Sequence, residues 1–316
     1  MKHAFEIDWV NGNDWDKFTQ NSNQNNVFTK ARLIQGFDLN CRFLIISKNS
    51  RPLLGFPIIY DDNYHSTFLP YLYYQAPLYS REIEEMVSYR RFGYIQSLTE
   101  TALEVLTTEF RSFAFKTHHS IADVRPFLRF GKNERTKIKV EPNYTALITP
   151  KNNELLDIKR EYRKDRRQDL KYAEAAGIKV CDLKDVQTLV DVVRENFTRK
   201  GVDFPEYDQA VLRKIAQISI DENFGKIFFA KNQSGDVVGA QFVLVDEKTI
   251  HAVATGSCSE HDRGVGSLLV HHCINQALNK NLNFDFNGAN SAFLADFKHS
   301  FNADLRVYFR LSWSKK

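Results

Sequence analysis

Two stretches of the chain carry one pattern. RFLIISKNSRPLLGFPIIYDD (42–62) and KIFFAKNQSGDVVGAQFVLVDE (226–247) each begin with an apolar segment ending in Lys-Asn. A polar turn comes next, then a second apolar segment with a glycine near its start. Lys48-Asn49 aligns with Lys231-Asn232 and Gly55 with Gly239, with one residue added in the second turn. Both stretches read as β-hairpins, the second turned through Ser234-Gly235. Hairpins alone are common, but here the context repeats too. A polar, partly helical region precedes each one, and a strand and then a helix succeed it. In the first half these are STFLPYLYYQAPLYS and REIEEMVSYRRFGYIQSLTETALEVLTTE; in the second they are TIHAVATGSCS and RGVGSLLVHHCINQALNKN. Such recurrence is the mark of a duplicated unit, and 316 residues leave each copy room for its own core. The expected fold class is therefore α/β, with α+β mixed sheets, in two related domains over 1–140 and 141–316.

Within the second copy, HDRGVG brings two glycines to the junction between a β-rich run and an amphipathic helix beginning near Val265. A helix N-terminus carries unpaired N–H groups and partial positive charge, and glycine lets a ligand approach the backbone with no Cβ in the way. The amides of Arg263, Gly264, Val265, Gly266 and Ser267 can hold a diphosphate there, with the Ser267 hydroxyl and the Arg263 charge as additions. The alternative is a tight strand-to-helix turn in which the glycines serve packing alone. A Walker A loop is excluded because no lysine comes after Gly266, and a dinucleotide fingerprint lacks its third glycine, where Leu269 stands.

The order of hairpin, strand, glycine loop, helix, strand, helix and strand resembles the GNAT acyltransferases, whose carrier loop has the form [RQ]-x-x-G-x-[GA]. His261, Gly264 and Gly266 occupy its three positions, so the first departs from the pattern. FDFNGANSAFLADFKHSFNADLRVYFRL resembles the C-terminal signature of the FemAB-like branch, and REYRKDRRQDLKYAEAAGIKV resembles an upstream segment of that branch. The resemblance implies two tandem GNAT-like domains, in agreement with the internal repeat. It also implies transfer of an acyl or aminoacyl group to an amine. Branch members that use aminoacyl-tRNA tend to lack the glycine loop. Its presence here favours acyl-CoA (acetyl-CoA) as donor, with aminoacyl-tRNA-dependent modification of a peptidoglycan precursor as the second reading. At the matching place the first copy has APLYSREIEEM, with no glycine, so that domain is expected to shape the acceptor groove.

Amine acylation needs a positioned carbonyl and donors for the oxyanion that forms. The resemblance implies that strand HAVATGS supplies these around Ala254 and Thr255. It also implies that Lys298, in FKHSFN, polarises the carbonyl or neutralises the leaving group. Asp285 and Asn287 alternate with Phe284 and Phe286, so they share the polar face of a strand, suited to orienting the acceptor amine or to bonding the next turn. Glu260 and His261 lie at the loop, and either suits a base acting through water. The adjacent His271 and His272 do not share a helix face and are not expected to be ligands. The run KREYRKDRRQDLK is read as a solvated helix face. Its Arg160, Arg163 and Arg167 also recur at helical spacing, which allows a phosphate-facing stripe for substrate, tRNA or other RNA. That stripe supports a third reading, a non-catalytic RNA- or nucleotide-binding module.

Composition narrows the setting. A net charge of +4 is too small for a general nucleic-acid surface, so no DNA partner is expected. Cys41, Cys181, Cys258 and Cys273 are scattered, without the spacing of a zinc site or a disulfide framework, so no metal is expected. No run approaches a membrane span and no apolar signal core opens the sequence. The expected setting is cytoplasmic, and the expected acceptor is a small-molecule or peptide amine.

Overall fold

The structure, a computed structural model, describes residues 5–66, 69–131, 137–150, 158–258 and 263–315. It divides into two compact units, Met1–Asn143 with Val307–Lys316, and Tyr144–Arg306.

The first unit holds β1 (Glu6–Val10), α1 (Gly12–Gln20), α2 (Ala31–Gln35), β2 (Asn40–Lys48), β3 (Arg51–Tyr60), β4 (Leu78–Tyr79), α3 (Arg81–Glu85), α4 (Ser88–Glu109), β5 (Ser112–Lys116) and α5 (Arg125–Leu128). Its sheet runs β1-β2-β3-β4. The hairpin β2–β3 turns on Asn49 and Ser50, both at positive φ (50° and 59°), the twist-matched geometry of a two-residue loop. Across β3 lies α1, and a Cβ on Gly55 would sit 2.3 Å from Phe18 and 2.7 Å from Trp15. The long helix α4 buries Leu98, Ala102, Leu103 and Leu106, recurring at helical spacing, in a core shared with Phe56, Phe113 and Trp313. The long helix expected from Arg81 is divided at Met86–Val87, and the segment before β4 is a loop with Tyr71 and Tyr74 at positive φ.

The second unit begins within β6 (Lys139–Ile148). It continues through α6 (Lys164–Ala175), β7 (Lys179–Asp182), α7 (Val186–Arg199), α8 (Glu206–Asp221), β8 (Gly225–Lys231), β9 (Val237–Val245), β10 (Thr249–Ser257), α9 (Val265–Leu278), β11 (Asn283–Asp285) and α10 (Ala292–His299) into β12 (Asp304–Ser314). Its strands run β6-β11-β10-β9-β8-β7, antiparallel except for the parallel pair β10–β11. Alternation divides the strands between two cores. Phe228, Val243 and Phe284 pack with Leu170, Leu269 and Ile274 of α6 and α9. Ile227, Phe229 and Phe242 are buried on the other face, where α7 contacts β9 and β10 and α8 contacts β8. Gly177, at φ +68°, ends α6 as its place in the sequence requires.

Val307–Lys316 belongs to the first unit and not to the span 141–316, because Arg310–Ser314 of β12 pairs with β5. A strand's hydrogen-bond partner is set by tertiary register, and nothing in its own residues names that partner.

Candidate functional site

The two glycines of the loop differ in what they do. Gly264 is the N-cap of α9 at φ +89°, ψ −6°, a left-handed conformation that a side chain strains. A Cβ there would lie 2.1 Å from the carbonyl oxygen of Asp169 on α6. Gly264 therefore lets α9 begin directly against α6, and its own carbonyl accepts the first helical bond from Leu268 (2.8 Å). At Gly266, one step into the helix, a Cβ would meet no atom of the described residues within 4 Å. Among those residues this position of the first turn of α9, whose N–H groups lack intrahelical acceptors, is thus open. Val265 is buried beneath it, and a Cβ on Gly239 would press on Val265 Cγ1 at 2.5 Å, so the glycine of β9 seats this turn.

The side chains around the loop form one network, to which α6 contributes most. Ser267 is buried; its hydroxyl donates to Asp169 Oδ2 (3.0 Å) and accepts from Arg166 Nη1 (3.0 Å). Arg166 also pairs with Asp169 (2.9 Å), and Arg263 reaches the same carboxylate at 3.4 Å while lying 4.2 Å over the Tyr172 ring. The Ser267 hydroxyl is therefore committed to fixing the loop. Arg263 keeps an exposed guanidinium beside it. Neither Asp169 nor Arg166 stands out in the sequence, although their i,i+3 spacing on a helix is the signal of such a pair. Glu260 and His261 lie outside the described residues.

The arginines of the candidate stripe do not share one helix. Arg160 lies in a short 3-10 turn (Ile158–Glu161), Arg163 precedes α6, and Arg167 lies within it. Arg167 donates to the carbonyls of Arg160 (3.2 Å) and Tyr162 (2.7 Å). Arg163 clamps Asp296 of α10 through two nitrogens (2.6 and 2.9 Å), pairs with Asp165, and its amide donates to Ser300 O (2.8 Å). These bonds hold α10 in place. The Arg163 pair keeps the Asp165 carboxyl below the usual range.

Helix α10 in turn delivers Lys298. Its ammonium donates to the carbonyls of Phe286 (2.9 Å), Asn287 (3.0 Å) and Gly288, the residues leaving β11. Asn287 and Gly288 both have positive φ, and the turn presents three carbonyls to one cation. Burial lowers the Lys298 pKa to about 8, against the opposing charge of Asp285. Asp285, fully buried, accepts from Thr145 Oγ1 (2.5 Å) and the Asn287 amide (2.9 Å). The Asn287 side chain donates to Ala252 O (3.1 Å).

That last bond marks where two parallel strands part. The pairing of β10 with β11 covers Thr249–Asn283, Ile250–Phe284 and His251–Asp285; β10 then runs on to Ser257. Its register with β9 shifts between Ala252 and Ala254, a bulge at Val253 that bends the strand and re-aims its amides. Ala254 is buried and Thr255 exposed on the continuing segment. Gln241 of β9, fully buried, donates to Ala254 O (3.2 Å) and accepts from the Thr255 hydroxyl (2.5 Å), fixing the strand beyond the bulge. Behind it, a Cβ on Gly256 would sit 2.8 Å from Val192 O of α7. The structure thus brings Ala254, Thr255, Asp285, Asn287 and Lys298 to one gap between strands and sets the mouth of α9 after the same β10. His271 is a core residue, bonded to the Tyr162 hydroxyl (3.0 Å), and His272 packs its ring on Phe228.

The fold has counterparts among known proteins. Residues 160–299 match the model of the acetyltransferase (GNAT) domain family. FemX superimposes with a TM-score of 0.67 at 10% identity, covering 96% of each chain. A tandem GNAT protein from the clavulanic acid biosynthesis pathway gives 0.55 at 10% identity and 99% of each chain. L-PGS from Bacillus licheniformis gives 0.54 at 11% identity, covering 98% of this chain and 94% of that one. At such identities the likeness is one of fold. No curated protein matches this chain. Residues 160–299 thus carry an acetyltransferase (GNAT) domain, and the chain as a whole shares the fold of FemX and of the tandem GNAT protein.

Proposed function

We propose that the second unit binds an acyl-CoA at the mouth of α9 and transfers its acyl group to an amine. One observation carries this reading: Gly266 leaves the first turn of α9 open while Gly264 fixes it against α6. The diphosphate of the carrier is accepted by the amides of Val265, Gly266 and Ser267, with the Arg263 guanidinium beside them. The thioester then lies in the gap between β10 and β11, its carbonyl toward the amides around Ala254 and Thr255. An acceptor amine entering the gap beside Asn287 attacks that carbonyl; nitrogen gains the acyl group and gives up a proton, the C–S bond breaks, and the thiolate takes up a proton and leaves as the free thiol. Lys298, committed to three carbonyls, supports this gap from behind and lends it positive charge. A CoA thioester donor suits a cytoplasmic reaction.

The aminoacyl-tRNA reading and the RNA-module reading both draw on the arginine run. Arg163 and Arg167 spend their guanidinium donors on α10 and on backbone carbonyls, which favours the CoA reading. Titration calorimetry with acetyl-CoA and with tRNA tests the choice. Saturable binding of acetyl-CoA, reduced at least tenfold by Gly266→Trp with an unchanged melting temperature, is expected. Binding of tRNA alone, with acetyl-CoA inert, rejects the proposal. Thiol release from acetyl-CoA in the presence of glucosamine, a lysine-containing peptide or spermidine then sorts the acceptor class.

A further inference from the structure

At the point where β10 and β11 separate, the protein buries an unusual number of ionisable groups. His251 is 2% exposed, with Nε2 3.0 Å from Asp246 Oδ2. Its register partner on the parallel neighbour is Asp285, so both side chains leave the same face of the sheet. Lys298 reaches the same region from α10, and Asp285 acts on it electrostatically. Asp246, His251, Asp285 and Lys298 thus lie in one charged cluster, and an imidazolium at His251 is attracted by both carboxylates.

We propose that His251, held between Asp246 and Asp285, is a positioning residue: as the imidazolium it fixes Asp285 and Asn287, and through the Asn287 bond to Ala252 it sets the gap in which the thioester lies. The role rests on the acyl-transfer reading above. Register sets His251 beside Asp285, and from Asp285 onward the links are hydrogen bonds. Asp285 Oδ1 takes the Asn287 amide, Asn287 Nδ2 donates to Ala252 O, and Ala252 directly precedes the bulge that aims Ala254 and Thr255. Burial by itself would lower the pKa of the ring. The hydrogen bond and charge of Asp246, the charge of Asp285 and the Asn287 side chain outweigh it and raise the value above that of an ordinary histidine. These are the groups acting on the ring, Asp246 from the turn before β10 and the others from β11 and its exit; Lys298 acts on Asp285 from α10. The imidazolium therefore persists to higher pH than that of an ordinary histidine and is lost as pH rises through the raised value.

The experiment pairs histidine NMR titration with pH–rate profiles, reading thiol release from acetyl-CoA with whichever amine the acceptor screen selects. His251 is expected to titrate above the ordinary range, and Asp246→Asn to lower its midpoint by one unit or more. The amide resonances of Ala252 to Thr255 are expected to shift with that same midpoint. His251→Gln is expected to leave acetyl-CoA affinity within threefold, to lower kcat at least tenfold, and to abolish the alkaline limb that wild type shows at the His251 midpoint. An unchanged kcat and profile in His251→Gln overturns the proposal, as does a ring that stays neutral down to pH 5. If His251→Gln does not fold, Asp246→Asn decides: its alkaline limb must move by as much as the NMR midpoint. If no amine is acylated, the transfer reading fails by itself. The coupling is then read from the amides, and resonances of Ala252 to Thr255 that ignore the His251 titration sink it independently.

Discussion

Gly55 and Gly239 occupy the same place in two related hairpins, and in both the missing Cβ admits a helix. Gly55 makes room for Phe18 and Trp15 of α1, Gly239 for Val265 at the start of α9. The two copies diverge after the hairpin. In the second unit a nine-residue strand, β10, leads to a left-handed glycine and the open first turn of α9. In the first unit the corresponding strand, β4, has two residues and leads to α3, whose first turn carries Glu82 and Glu84. Negative side chains at a helix N-terminus occupy the field that would attract a diphosphate. The hairpin scaffold thus recurs in both copies, and among the described residues the glycine-capped helix start belongs to the second. Each unit also buries a lysine. Lys298 sits among carbonyls near Asp285, with its pKa at about 8. Lys116 sits 4.3 Å over the Tyr73 ring, and burial, with Arg310 adding to it, lowers its pKa to about 7.

The sharpest way to break this comparison is Gly264→Ala. Left-handed strain and a Cβ 2.1 Å from the Asp169 carbonyl should together cost about 3 kcal/mol, read as a fall in urea midpoint. A midpoint like that of wild type would mean that α9 does not start against α6. Next come Gly55→Ala and Gly239→Ala, each expected to destabilise by about 1 to 3 kcal/mol through overpacking. They should part in binding. Gly239→Ala displaces Val265 and weakens acetyl-CoA, whereas Gly55→Ala leaves its affinity intact; equal losses would erase the distinction between the units. The smallest effect is in pH dependence. A lysine with a lowered folded pKa binds fewer protons folded than unfolded, so its unfavourable burial is relieved as pH rises. For Lys298 this happens between about 8 and its ordinary 10.5, and for Lys116 from about 7 upward. Between pH 6 and pH 8, Lys116→Met should remove a stability gain on the order of 1 kcal/mol and Lys298→Met about a third as much, measured by chemical denaturation. The gain from Lys116 should begin at lower pH.

Much of the second unit was legible in the residues. Apolar residues recur at helical spacing in α7 and α8, Gly177 stands where α6 ends, and the glycine loop points to the mouth of α9, because each of these is a local matter of period and backbone freedom. Lys298 was marked by a family motif and Asp285 and Asn287 by strand alternation, but what they touch was not. The Lys298 ammonium is satisfied by three carbonyls of the β11 exit, a partnership between segments that only folding brings together. Arg160, Arg163 and Arg167 suggested a stripe because their spacing fits a helix, yet α6 starts only after Arg163, and two of the three guanidinium groups are engaged by the protein itself, Arg163 by Asp296 and Arg167 by the carbonyls of Arg160 and Tyr162.

The sequence by itself determined that this chain holds two copies of one α/β unit and that the second copy alone carries a glycine-bearing helix start. Repetition, periodicity and the conformational freedom of glycine are written in consecutive residues. Only the tertiary structure decided which glycine is packed and which is open, that Asp169 and Arg166 hold the loop, and that His251, Asp246 and Asp285 meet where β10 and β11 part. It also assigned the end of β12 to the first unit. Those outcomes depend on strand register and on the balance of charge inside a core, and both arise between residues far apart in the chain.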